Sequence, residues 1–562
     1  MGDMDVWGSR RFRFRGALAL TGVAALVFAM GSCGLSEQPN EAEAVVERFT
    51  ELLDEHDYAA AAELTSYPTA ASATLKQMFE GLESGEVDYE KTQFIELDPA
   101  SGLFSMDVDW NFGEGKDWNY SIEGSVRKLA IGWRISWDPA IVMPQLSHTR
   151  DVKLVRTTPK PPPRVVDIVG EPLMAEQNIN VIKLDPARMP DPVASTNALA
   201  AAIEPVASLI TGPYLMQQLA SSQGKPIVAV SLRDGDFNIL EPLMAPIPGV
   251  VMEKQPRVIS VDRRVRSPML DGLAEVWEDS QQAHSGWAVQ LFEKDGRFIT
   301  QLAGEQGPAG PDIAATMDQK LQRAALDAVV SVATPASLVA IQPSTGAVVA
   351  VAQNGYASEH GPVAFTGLYP IGANIELFRN IVAVEKGKAP ADVSVQEAAE
   401  AATKLGVGID FRVPGLDEVT GRLAISGRSA EQVRQGAGAD AVLASPFGMA
   451  IAAATIARGS VPPPMIERGR PSETDAQLDP LPAPVTDRLR TMMRDGMNDP
   501  RMAELRMYGG VTGFVAEAGE DGWLIATLGD LAFAVHIDNI DGGDAAVRMA
   551  ARMFRSFTKP EP

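Results

Sequence analysis

The stretch Phe365-Thr-Gly-Leu-Tyr-Pro-Ile-Gly-Ala-Asn-Ile-Glu-Leu-Phe-Arg-Asn380 is a loop punctuated by Pro370 and Gly372 that runs straight into a helical pattern. Residues three apart share one helix face, so a hydroxyl at position 373 and an amine at 376 would pair a nucleophile with its base for acyl transfer. The chain carries Ala373 and Glu376 there. Ala373 has no atom that can attack a carbonyl. Glu376 puts a carboxylate in the first helical turn, where the positive end of the helix dipole favours it and would disfavour a lysine. Ser358 and Ser445 are nearby in sequence, and neither has a lysine three residues on. His56, His148, His284, His360 and His536 fall in no metal-ligand spacing, so a zinc hydrolase finds no support and no metal or cofactor is expected.

The elements that would position this loop lie in a chain too long for one core: 562 residues imply three or four domains. A formal charge of −24 argues against nucleic acid as a partner. Arg10, Arg11, Arg13 and Arg15 precede an apolar run from Gly16 to Met30, closed by Gly31-Ser32-Cys33. A basic region, a short apolar run and small residues read as a secretory signal over residues 1–33. Cys33, directly after the small pair, stands where a bacterial lipoprotein signal has its lipidated cysteine. An uncleaved membrane anchor is the other reading, although the run is shorter than the ~20 residues that span a bilayer. Either way the remainder is expected outside the cytoplasmic membrane, and a single cysteine leaves no intramolecular disulfide to form.

Residues 41–66 read as helical, with Val45, Val46, Phe49, Leu52 and Leu53 at helical spacing. Alternating strands follow, including Phe104-Ser-Met-Asp-Val-Asp-Trp-Asn-Phe112, and the region closes with Trp133-Arg-Ile-Ser-Trp-Asp-Pro139. These tryptophans are read as packing rather than as a ligand platform. Lys160-Pro-Pro-Pro163 marks a stiff linker. From there to about residue 310, short strands and helices alternate without a catalytic constellation. Asp318-Gln-Lys-Leu-Gln-Arg-Ala-Ala325 reads as a helix capped by Asp318 or Thr316, and Ser337 to Ala352 as two apolar strands around a Pro-x-x-Gly turn. The run Gly436 to Gly459 reads as an alanine-rich packing helix. Its Gly436-x-Gly438-x-x-Ala441 matches a dinucleotide fingerprint by spacing, but no strand leads into it.

Several of these segments together resemble class B penicillin-binding proteins of the lipoprotein type. Tyr369-Pro-Ile-Gly-Ala-Asn-Ile-Glu376 is similar to the family's Tyr-Pro-Pro-Gly-Ser-x-x-Lys, and Gly436 to Gly459 to its Gly-Gln-Gly…Ser-Pro-Leu-x-Met-Ala helix. Arg164 to Leu173 resembles a faded pedestal box that keeps Asp167, Gly170 and Leu173. The region ending in Trp-Arg-x-x-Trp-x-Pro resembles the cone-shaped, nuclear-transport-factor-two-like domain that begins many such enzymes. The family's Ser-x-Asn aligns near Ser394-Val-Gln396, where a helix start capped by Ser394 is the better reading. Its Lys-Thr-Gly aligns with Val511-Thr512-Gly513. Val511 removes the cation that grips a carboxylate, and with it a charge-assisted hydrogen bond of ~2–3 kcal/mol. The family's oxyanion hole of main-chain N–H groups is expected near Ala373 and Phe514.

The resemblance implies a multidomain α+β protein. It consists of an α+β cone-shaped N-terminal domain over 41–148, a mixed, dimerisation-like pedestal over 160–310 and a C-terminal α/β/α serine-transpeptidase (penicillin-binding and β-lactamase-like) domain over 312–560. Three degenerate motifs on one scaffold imply a pseudo-transpeptidase that serves peptidoglycan synthesis as a scaffold or regulator. Its expected partners are membrane proteins of cell-wall synthesis or division, and peptidoglycan itself. The alternatives are a working D,D-transpeptidase acting through a non-standard residue and a non-covalent sensor of wall peptides. Glu376 and Val511 argue against carboxylate ligands in the old cleft.

Overall fold

The computed structural model describes residues 40–423, 442–538 and 544–559. The readings placed on residues 1–33, including Cys33, and on Gly436–Ala441 lie outside the described residues. Contact clustering separates two compact units: the described residues up to Lys153 together with Leu291–Thr300, and Leu154–Gln290 together with the chain from Gln301 onward. Among the described residues no helix is long and apolar enough to cross a membrane.

The first unit places three helices, Glu41–Asp54, Tyr58–Glu63 and Pro68–Gly81, against an antiparallel sheet. Its strands, Glu86–Asp98, Ser101–Asn111, Asp117–Leu129 and Gly132–Ile135, lie in chain order. The side chain of Asn40 accepts from the N–H groups of Ala42 and Glu43, Asp57 caps the second helix, and Pro68 opens the third, where its missing N–H costs nothing. Along Ser101–Asn111 the residues Phe104, Met106, Val108 and Trp110 are buried and their neighbours face outward, the period-2 pattern of a sheet covered on one side. Phe79 of the third helix meets the Trp110 ring at 5.3 Å. The Trp110 indole donates to the Tyr120 hydroxyl at 3.1 Å, and Tyr120 donates to the Val142 carbonyl at 2.8 Å, so the polar edges of the buried rings are satisfied. Trp118, Trp133 and Trp137 are buried as well, in keeping with a packing role.

In the second unit the long strand Pro172–Leu184 pairs along one edge with Val250–Ser260, and along the other with Ile227–Arg233 and Val165–Val166. Helices Pro192–Ile203, Gly212–Ser221 and Asp234–Met244 close a small core around Leu184, Leu199 and Leu240. Beyond it, a five-stranded antiparallel sheet runs in the order Val348–Gln353, Ala336–Ile341, Leu531–Ile537, Asp521–Leu528, Thr512–Ala518. One face carries Leu338 and Ala340 against helices Gln319–Val329 and Ala545–Thr558. The other carries Val339 and Ile341 against the apolar helix Pro446–Arg458. Of the two caps expected for the Gln319–Val329 helix, Asp318 fills the place: its carboxylate accepts from the Leu321 N–H at 2.9 Å. Thr316 is buried and donates to the Val348 carbonyl instead.

The expected pedestal, 160–310, and terminal domain, 312–560, both fall in this second unit apart from Leu291–Thr300. In the structure Val165, Leu173, Met269 and Leu273 share one hydrophobic core with Ile341, Phe378, Ile451 and Trp523. The physical reason is a pair of crossings that sequence patterning cannot show. Val165–Val166 pairs in parallel with Ile313–Ala314, and the buried carboxylate of Asp167 accepts from Gln319 Nε2 at 3.0 Å. The other Asp167 oxygen takes the N–H groups of Val169 at 3.0 Å and Glu171 at 2.8 Å, folding the turn in which Gly170 adopts φ +90°. Replacing Asp167 by Ala removes the acceptor of three part-buried hydrogen bonds, a loss of roughly 1–3 kcal/mol in all. Urea unfolding is expected to show a loss of at least that size for Asp167→Ala and a much smaller one for Asp167→Asn, which keeps the Oδ1 acceptor.

Candidate functional site

Tyr369 and Pro370 form a short strand paired with Val442–Ala444, and the chain then turns through Gly372–Asn374 into the helix Ile375–Lys386. Gly372 sits at φ +53°, and a β-carbon there would lie 2.0 Å from the Glu517 carbonyl oxygen. Both the left-handed backbone and the close approach require glycine. Ala373 follows as an exposed methyl at the head of the helix. Asn374 is fully buried; its Nδ2 donates to the Ile371 carbonyl at 2.8 Å while its Oδ1 has no hydrogen-bond partner. Ile375, Leu377, Phe378 and Ile381 turn inward and fix the helix on the core.

Glu376 is half-exposed and pairs with Arg379 at 2.7 Å. Asn380 donates to the Glu376 carbonyl at 2.8 Å and accepts from Arg488 Nε at 2.8 Å. The position three residues after Ala373 is thus filled by a carboxylate neutralised within its own helix. It presents neither a base to a nucleophile nor a free cation to an anionic substrate.

The loop that delivers Ala373 rests on an aromatic floor. The Tyr369 ring stacks on His536 at 3.7 Å, and Trp523 lies 4.6 Å from the same imidazole. The Trp523 indole donates to the Pro370 carbonyl at 2.8 Å, tying the loop to the sheet. His536 is buried, and its Nε2 stands 3.4 Å from Asp521 Oδ1, longer than a good hydrogen bond. Burial holds the imidazole below its usual range, against the smaller pull of Asp521. Burial likewise pushes the Tyr369 phenol up to about 12, with Asp538 and Asp521 adding to it. Reading for nucleophiles and bases missed this cluster. The signal was available: His536 is the one strongly polar residue in Ala532-Phe-Ala-Val-His-Ile537, at a position that alternates onto the loop face.

The remaining motif positions fall elsewhere. Val511 is buried just ahead of its strand, and Thr512 exchanges a hydroxyl hydrogen bond with Thr527 at 2.8 Å. The nearest neighbours of Gly513 are Ile525 and Ala526, and the end of helix Ala483–Gly496 packs against Gly513 and Phe514. The turn that carries Ala373, in contrast, meets the same strand at Glu517–Ala518. At ~3.3 Å per residue that is roughly 10 Å along the strand from Phe514 and ~17 Å from Thr512. Gly372 and the Trp523–Pro370 hydrogen bond anchor the turn to the hairpin end of the strand.

Ser394 caps helix Val395–Ala401 with a full capping box: its hydroxyl accepts from the Glu397 N–H at 3.2 Å, and Glu397 accepts from the Ser394 N–H at 3.0 Å. Glu397 also takes Lys386 at 2.7 Å and Lys388 at 3.1 Å, which holds its carboxyl far below the usual range. Gln396 is exposed and donates to Glu400 at 3.1 Å. Of the spare serines, Ser445 is fully buried as the N-cap of helix Pro446–Arg458, and Ser358 donates to the Asn354 carbonyl at 3.0 Å. Among the described residues no three His, Cys, Asp or Glu side chains group as metal ligands.

Because folded His536 resists protonation while the unfolded residue titrates near 6.5, its contribution to stability is complete above pH ~6.5 and is lost as pH falls below that value. Urea unfolding of wild type and His536→Gln from pH ~5 to ~8 should give a stability difference that favours the wild type more strongly at the upper end. A difference that stays constant over the range would mean that burial does not depress the imidazole.

Residues 41–150 match the model of the NTF2-like N-terminal transpeptidase domain. No curated protein matches the chain. The match covers the described helices and four-stranded sheet of the first unit, the part expected from its tryptophan pattern to be such a domain.

Proposed function

We propose that the protein is a non-catalytic homologue of class B penicillin-binding proteins, a scaffold or regulator of peptidoglycan synthesis. In this reading it is tethered through Cys33 to the outer face of the cytoplasmic membrane and engages membrane proteins of wall synthesis or division. The N-terminal domain match supports the lineage. The five-stranded antiparallel sheet between helical layers is the architecture expected of a transpeptidase-like domain. The single observation that carries the loss of catalysis is the head of helix Ile375–Lys386. Position 373 presents a methyl group, and the residue three further on is a carboxylate already paired with Arg379 at 2.7 Å.

A working transpeptidase would need another nucleophile, yet Ser445 is spent as a buried cap and the Ser358 hydroxyl is turned to a main-chain carbonyl. A sensor for wall peptides in the same place would need a cation for the terminal carboxylate, and Val511 supplies none. Intact-mass spectrometry after incubation with a β-lactam tests the reading. An active class B protein run beside it should gain the mass of the opened lactam while this chain stays unmodified. An adduct on this chain would overturn the proposal and, once mapped, name the nucleophile. Affinity capture from crosslinked cells is expected to recover wall-synthesis or division membrane proteins; their absence would remove the scaffold role.

A further inference from the structure

A cavity of about 450 Å³ opens within the second unit between strand Val250–Ser260, helix Asp234–Met244 and the head of helix Met269–Ala283. It lies among residues that the reading above leaves without a task. Three arginines line it: Arg233, Arg263 and Arg266. Arg263 is matched to Asp236 at 3.0 Å. Arg233 is partly buried, and its guanidinium donates to the Ser260 carbonyl at 2.8 Å, a neutral partner. Burial, and secondly repulsion from Arg263, lower its pKa, and the three arginines of the lining outnumber its two carboxylates, Asp236 and Asp271. Arg266 also lines the cavity, and among the described residues its side chain has no hydrogen bond or ion pair.

The same cavity holds the opposite imbalance at Asp271, in the first turn of helix Met269–Ala283. Its carboxyl likewise has no hydrogen bond or ion pair among the described residues, and desolvation alone raises its pKa. Two charges of opposite sign that share a cavity but do not close on each other leave a gap that a ligand with both charges can bridge. Val258 and Leu270 add an apolar wall between them. A ligand bearing only an anion would leave Asp271 uncompensated and facing it, and one bearing only a cation would meet the guanidinium groups. The volume lies in the range of small-ligand sites and suits an amino acid or a dipeptide.

We propose that this cavity is a binding site for a small zwitterion, an amino acid or short peptide. Its carboxylate lies on the Arg266 and Arg233 guanidinium groups and its ammonium on Asp271. Planar, forked guanidinium groups suit a carboxylate, and a carboxylate suits a primary ammonium, so the two ends of the site also set the ligand's direction.

Isothermal titration of the purified full chain with alanyl-alanine, its N-acetyl form and its C-terminal amide tests this without any mutation. The unblocked dipeptide should bind saturably, and each blocked form at least ~10-fold more weakly, the equivalent of ~1.4 kcal/mol. Arg266→Gln and Asp271→Asn should each weaken the dipeptide by a similar factor. Asp271→Asn should in addition erase the discrimination against the N-acetyl form. Absence of saturable binding would overturn the proposal. So would equal binding of the C-terminal amide, which carries no carboxylate, and so would equal binding of the N-acetyl form, of acetate or of inorganic phosphate, which would mark a plain anion site. Acylation by a β-lactam plays no part in these outcomes, so this site and the inactive transpeptidase reading stand or fall separately.

Discussion

Strand Ala336–Ile341 has no face toward water: all six residues are buried, and both of its edges are paired, one with Val348–Gln353 and the other with Leu531–Ile537. An extended segment in that position must satisfy every main-chain group through its neighbours and cover two apolar faces at once. Much of the second unit answers that demand. Leu338 and Ala340 are covered by the helices Gln319–Val329 and Ala545–Thr558, while Val339 and Ile341 are covered by Pro446–Arg458. The helix Pro446–Arg458 is apolar nearly all round because it is itself packed on several sides.

The candidate site is a consequence of the same sheet. Leu531–Ile537 pairs with the buried strand in a register that sets Ser337 opposite His536, and this places the imidazole on the face where Tyr369 can stack on it. The stack and the Trp523–Pro370 hydrogen bond then hold the loop whose next residues are Gly372 and Ala373. The scaffold thus delivers position 373 to the surface with the backbone geometry that glycine permits, although no reacting group is mounted there. Chemistry and architecture have separable costs. The side chain at exposed position 373 can vary without touching the packing, whereas losing Gly372 would drive a side chain into the Glu517 carbonyl.

Much of this was legible in the residues and some was not. The first helix, the strand through Trp110, the Asp318 cap and the hairpin around Gly346 all follow from local period and turn chemistry, and the structure forms them. Helix Pro68–Gly81 is not legible in the sequence, because its apolar residues, Ala71, Leu75, Met78 and Phe79, are interleaved with Thr and Ser. The capping role of Ser394 was readable from Ser-x-x-Glu, a local signature whose two hydrogen bonds close within four residues.

What the sequence determined by itself is what depends on residue identity alone: Ala373 cannot attack, Val511 cannot carry charge, and no second cysteine exists to bridge. Helix starts and tight turns belong to the same class, because their energetics are settled within a few residues. The tertiary structure alone decided that Asp167 and Gln319 meet across a chain separation of 152 residues. It alone decided that the turn before Ala373 lies against Glu517–Ala518. It also decided that Arg233, Arg266 and Asp271 share one cavity without closing on one another. Each of these depends on where strands register and which faces bury, a balance of many small packing terms summed over the whole fold.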